Sequence, residues 1–120
     1  AADLQAVDNM AARHANLTIG GNTATLLRDC AFVVTQNSAV AFDGYLLGKP
    51  AVLFAQIDFH HIGLNVADLG AERALIQAET RQPEFAAYLY WFLQQQSVNA
   101  SRPDAGEQIL VQMRRGGWPI

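Results

Sequence analysis

The stretch from Val33 to Phe54, VVTQNSAVAFDGYLLGKPAVLF, constrains this chain more than any other. An apolar run, Phe32-Val33-Val34, stops at the polar turn Thr35-Gln36-Asn37-Ser38. Residues 38 to 47 then read as a helix. Gly48 is placed to end it, and Pro50 blocks its continuation. Ala51-Val52-Leu53-Phe54 follows as a second apolar run. Strand, polar turn, helix and strand in that order are the unit of a parallel sheet, because parallel neighbours need a crossover between them.

The rest of the chain extends this pattern. Leu4, Val7, Met10 and Ala11 recur at helical spacing within residues 3 to 15, and Asp3 suits the positive end of that helix. Leu17-Thr18-Ile19 reads as a short strand closed by Gly20-Gly21, and Asn22 or Thr23 is placed to cap a short helix carrying Leu26 and Leu27. Residues 31 to 35 and 51 to 55 are the next strands. Gly63 to Gly70 reads as irregular, with Leu64, Val66 and Leu69 able to form a short buried segment. Residues 71 to 79 fit either a short helix or a turn region. Pro83 and Glu84 open an aromatic helix that runs to about Ser97 and should be mostly buried, because its aromatic residues lie on nearly all faces. A polar linker then leads to a last helix over 106–115, ended by Gly116-Gly117.

These elements predict one α/β domain over residues 1–120. It is a small three-layer Rossmann-like unit with a short parallel sheet of about three strands. Helices cover both faces, and the carboxyl-terminal helices pack on it. With right-handed crossovers, all strand carboxyl ends share one edge, where open α/β sheets bind ligands. Three loops fall there in this reading: Gly20 to Thr23, Thr35 to Ser38, and Gln56 to His61.

Composition narrows the function classes. Of 120 residues, 51% are hydrophobic and 16% charged, which excludes a disordered chain and suggests apolar surface covered by a partner or by further chain. The net charge of -3 argues against nucleic acid as a ligand. Cys30 is the only cysteine, so no internal disulfide and no thiolate zinc cluster can form, and a buried inert thiol is expected. No apolar run approaches the roughly 20 residues of a transmembrane helix. The first residues do not resemble a signal peptide, so the chain reads as a cytoplasmic protein.

The central turn carries the chemistry. Backbone N–H groups at a helix start lack intrahelical partners, and Gln36, Asn37 and Ser38 add side-chain donors. A phosphate seat and a plain helix cap both fit this pattern. Asp43 can accept hydrogen bonds from ribose hydroxyls or stand in solvent. Gly44 inside the helix signals close packing or a nearby ligand, since it costs about 1 kcal/mol relative to Ala. Asp58, His60 and His61 are candidates for the pocket edge. Adjacent histidines without further ligands make a poor metal site, so no metal is expected. There is neither a Walker A run nor a G-x-G-x-x-G, and no nucleophile–base arrangement identifies a catalytic residue. The acidic cluster expected after the first strand of a receiver-type domain is also missing.

The runs Leu26-Leu27-Arg28-Asp29-Cys30-Ala31 and Val33 to Val52, followed by Asp58-Phe59-His60-His61-Ile62-Gly63-Leu64, resemble the bacterial capsule polysaccharide synthesis and export proteins. These are GT-B-type glycosyltransferases that include the capsular Kdo transferases. The resemblance spans about residues 16 to 115, with specificity in the central run. It implies a donor-binding half-domain for a sugar nucleotide such as a CMP- or UDP-sugar, with no other cofactor. Asn37, Ser38 and the amides that follow, from Ala39, would face the donor phosphate, and Asp43 would approach the ribose. Gly21, Asn22, Thr23 and Gln36 join this donor-binding set from the shared loop edge. Asn37-Ser38 stands where the family has paired serines, and Asp43-Gly44-Tyr45 where it has Glu-Ala-Leu. A GT-B enzyme needs two Rossmann-like domains, so the resemblance implies a missing amino-terminal domain and no transfer by this chain alone, while the open edge of an incomplete sheet points to a homo-oligomer. The other reading is a small non-enzymatic α/β module that binds a phosphorylated ligand or a protein.

Overall fold

The computed structural model describes residues 2–120. A parallel three-stranded sheet lies at its centre, in the order β1 (Val33–Thr35), β2 (Ala51–Leu53), β3 (Leu64–Asn65). Around it are α1 (Ala2–Arg13), α2 (Thr23–Asp29), α3 (Val40–Leu46), α4 (Val66–Leu69), α5 (Ala71–Ala78), α6 (Phe85–Tyr90) and α7 (Ala105–Arg115). The fold is mixed α/β, as the alternation of apolar runs and helical stretches requires. No helix among the described residues is long and apolar enough to cross a membrane.

The central strand explains the layering. Side chains alternate across a strand, so β2 sends Ala51 and Leu53 to one face and Val52 to the other. Ala51 and Leu53 meet Ala41 and Tyr45 of α3, Val33 of β1 and Leu27 of α2. Val52 meets Leu64 of β3 and Ala74 and Ala78 of α5. All three residues of β2 are fully buried, which is why that run shows no polar alternation.

Tyr45 centres the larger core. Its ring lies 6.0 Å from Tyr88, 6.0 Å from Phe85 and 6.4 Å from Phe59, with the Tyr88 and Phe59 pairs edge-on. Its hydroxyl donates to the Phe59 carbonyl at 3.2 Å, so the buried phenol is satisfied. Burial, then the neighbouring Tyr88 phenol, raises the Tyr45 pKa far above its ordinary value. Two glycines let this core close. A Cβ on Gly44 would come within 3.1 Å of Val33 Cγ2, so close packing of α3 on β1 accounts for that helix glycine. A Cβ on Gly63 would come within 2.6 Å of Leu53 Cδ1 and 3.0 Å of the Tyr45 hydroxyl. Gly48, at φ 69°, turns the chain out of α3, and Lys49 Nζ then donates to the Cys30 carbonyl at 2.7 Å. That bond anchors the end of α2 beside β2.

The structure corrects two expectations and resolves an open one. Leu17 to Ile19 forms no strand, and the third strand is Leu64–Asn65 instead. A strand needs a paired neighbour, and none lies beside residues 17–19. Residues 71 to 78 are helical, which resolves the open reading there. The aromatic helix buries only Tyr88, and Tyr90 is 63% exposed; after Tyr90 it widens into a π segment, Trp91–Gln95, closed by Gln96 N–H to the Trp91 carbonyl at 3.1 Å. Leu93, within that segment, is exposed as well.

Candidate functional site

Parallel pairing brings the loops after the strands together at one edge. The Phe54 N–H donates to the Thr35 carbonyl at 3.0 Å, and the Ala55 N–H donates to the Gln36 carbonyl at 3.1 Å. The head of the loop after β2 is thereby fastened to the turn after β1. Within that turn the Ser38 N–H donates to Thr35 Oγ1 at 3.2 Å, and Ser38 Oγ accepts from the Val40 N–H at 3.3 Å. Ser38 is therefore the working cap of α3, and its hydroxyl proton stays free to donate. Gln36, Asn37 and Ala39 are exposed, and the Gln36 and Asn37 side-chain amides make no hydrogen bond within the described residues.

Beside this turn lies a cleft of about 80 Å³, lined by Leu53, Phe54, Ala55, Gln56, His60, Asn65, Ala67 and Asp68. Local hydrogen bonds set its polarity. His60 Nδ1 donates to the Ile57 carbonyl, so in the neutral ring Nε2 is an acceptor, and it takes a bond from Gln56 Nε2 at 3.0 Å. Asn65 Nδ2 spends both hydrogens on carbonyls, 3.1 Å to His60 and 3.3 Å to Gly63. Those bonds fix its orientation and leave Oδ1 buried without a donor. Asp68 adds an exposed carboxylate. The cleft thus offers acceptors and suits a group rich in O–H or N–H donors. Its volume is below the several hundred Å³ of a complete small-molecule site, so it takes one group of a larger ligand.

The remaining candidates separate. Asn22 caps α2, with its Oδ1 accepting from the Thr25 N–H at 3.2 Å. No strand precedes Gly20 to Thr23, so sheet topology does not carry that loop to the carboxyl edge. Gly21 holds φ 110° beside Leu26. Thr23 instead shares an open hollow between α2 and α3 with Ala24, Leu27, Arg28, Asp43 and Leu47. Asp43 is exposed there and does not line the cleft. Asp58 is exposed and lines neither space.

His60 and His61 do not diverge as adjacent residues usually do. Their rings stack at 4.3 Å, yet they serve different neighbours. His60 lines the cleft, whereas His61 Nδ1 meets the Tyr88 hydroxyl at 3.2 Å and its ring stands edge-on to Trp91 at 5.1 Å. His61 therefore belongs to the packing of α6. Among the described residues, no three His, Cys, Asp or Glu side chains gather to hold a metal ion.

Asn65 and Asp68 are the site residues that the sequence reading missed. Their stretch has no strand-like length, and only pairing of Leu64–Asn65 with β2 brings them to the edge. An Asn directly after a short apolar step was the one available signal. Comparison of the chain with family models, curated proteins and solved structures gives no match.

Proposed function

We propose that this chain is the sugar-nucleotide-binding portion of a glycosyltransferase of capsular or other surface polysaccharide synthesis, without transfer activity by itself. One observation carries the reading. The run that resembles the capsule enzymes coincides with the strand–turn–helix–strand unit, whose turn stands at the ligand-binding edge of a parallel sheet.

In this reading the donor lies across three neighbouring places. The nucleoside sits over the α2–α3 hollow, where Thr23 and Asp43 offer oxygen atoms to ribose hydroxyls. The phosphates meet the free amides of Gln36 and Asn37 and the Ser38 hydroxyl. The sugar turns its hydroxyls towards Asn65 Oδ1 and Asp68. The acceptor character of the cleft supports this order, because a phosphate would be repelled there and sugar hydroxyls would be bound. Transfer itself needs a second domain to bring the acceptor and a base.

The test is an amide-resolved NMR titration with CMP, UMP and a UDP-sugar. The expected shifts fall at Gln36 to Asp43 for all three, with added shifts at Gln56, His60 and Asn65 for the UDP-sugar alone. Asn37→Ala with Ser38→Ala should weaken binding at least tenfold while the fold's amide spectrum persists. No shift between Thr35 and Asp43 at millimolar nucleotide would end the proposal. A second reading, an α/β module that docks a protein, is favoured by the apolar surface left open on α1 and β1.

A further inference from the structure

Among the described residues, two parts of the amino-terminal region lack a packing partner. α1 buries no residue fully, and its apolar stripe, Leu4, Val7 and Met10, is exposed, Leu4 by 71%. The segment after it, Leu17-Thr18-Ile19, has the composition of a strand yet joins none, and Ile19 is 53% exposed. The sheet has a complementary gap. β1 pairs with β2 on one side and nothing on the other. Its middle residue, Val34, stands on the face of Val52 and is 49% exposed.

The size of the open surface points to what fills it. The chain exposes 8628 Å². A compact monomer of its 13.1 kDa exposes about 6,400 Å², so roughly 2,200 Å² is surplus. The radius of gyration is 18.1 Å against about 14 Å for a compact chain of this length, and the long axis reaches 57 Å. A standard interface takes about 800 Å² from each partner and an obligate one about 1,000–2,500 Å². That surplus, which the open α7 and the tail share with the amino-terminal arm, is large enough to hold an obligate interface.

We propose that a second copy of this chain fills the gap by reciprocal exchange. Residues 2–19 of each protomer form an arm that lies on the other protomer, with Leu17–Ile19 adding a strand to β1 and α1 covering Val34. Self-complementarity argues for a second copy over an unrelated partner. Each chain carries one arm and an open edge on β1, so a two-fold exchange sets the arm of each copy on the β1 edge of the other. Within one protomer the two do not meet, since no backbone hydrogen bond joins residues 14–22 to β1. The hinge is Gly20-Gly21, at φ 103° and 110°, where a side chain would be strained. A Cβ on Gly20 would meet nothing within 4 Å, whereas one on Gly21 would come within 3.1 Å of Leu26.

Sedimentation velocity of the 120-residue chain tests this first, and the expected mass is twice 13.1 kDa at micromolar concentration. Ile19→Asp should raise the dimer dissociation constant at least tenfold. A second arm uses Thr18→Cys with Val34→Cys in a Cys30→Ser chain, treated with a short bis-maleimide. Cross-linked product at twice the chain mass is expected. A single-chain mass in sedimentation overturns the proposal. So does a cross-link confined to one chain, which would place the arm on its own β1, and so does the absence of any cross-link.

Discussion

The middle of this molecule and its two ends contain similar amounts of apolar sequence and use it in opposite ways. Between Val33 and Tyr88, Tyr45, Val52, Leu53 and Leu64 lose nearly all contact with water. At the ends, α1 and α7 also carry apolar residues at helical spacing, α1 the more weakly, yet neither buries a residue. α7 is held mainly by polar contacts. Gln112 Nε2 donates to the Gln95 carbonyl at 2.9 Å, and Asp104 takes bonds from Arg102 and Gln108 ahead of its first turn. An amphipathic helix is stabilised by the surface it meets, not by its own periodicity. The difference between the regions is the presence of a sheet face to pack on.

That contrast can be broken most severely at Tyr45. Tyr45→Ala should cost about 4 kcal/mol in urea unfolding, the scale for removing a buried aromatic ring. A cost below about 1 kcal/mol would mean that the middle is no better packed than the ends. Gly63→Ala should come next, at about 2 kcal/mol, because Leu53 and Tyr45 must shift to admit the methyl group. Amide exchange should show the loss spread across β2 and α3.

Alkali probes the same core without mutation. Burial raises both phenols, Tyr45 strongly and Tyr88 to about 12, while the unfolded chain keeps the ordinary 10.0. Between these values the native state holds protons that the unfolded state has lost, so stability is complete below pH 10 and falls as pH rises towards 12. Urea midpoints at pH 9 and pH 11.5 should show this fall, and Tyr45→Phe should reduce it.

Ser38→Ala tests the edge between core and solvent. Loss of the cap should cost about 1 kcal/mol, measured by thermal unfolding. Leu110→Ala on α7 should change stability by less than about 0.5 kcal/mol, as for other exposed positions. A larger loss would show that α7 packs against the body in solution and would narrow the contrast.

Much of the middle was legible in the residues themselves. Val33-Val34-Thr35 and Ala51-Val52-Leu53 are β-rich runs separated by one helix length, and Gly48 with Pro50 marks where that helix stops. The turn from Gln36 to Ser38 was legible because polar residues at a helix start have few other uses. The cleft beside it was half legible. Gln56 and His60 follow β2 in sequence, whereas Asn65 and Asp68 enter only through a two-residue strand. Leu17-Thr18-Ile19 shows the reverse error, a strand composition without a strand, since composition cannot supply the neighbour that pairing requires.

By itself, then, the sequence determined the local elements of the middle and the polar character of the central turn, because those depend on spacing and capping within a few residues. Only the tertiary structure decided which short segment became β3, why Gly63 must lack a side chain, and that His60 faces the cleft while His61 joins α6. Each of those outcomes rests on contacts between residues distant in the chain, where hydrogen-bond partners and excluded volume, not local preference, set the result.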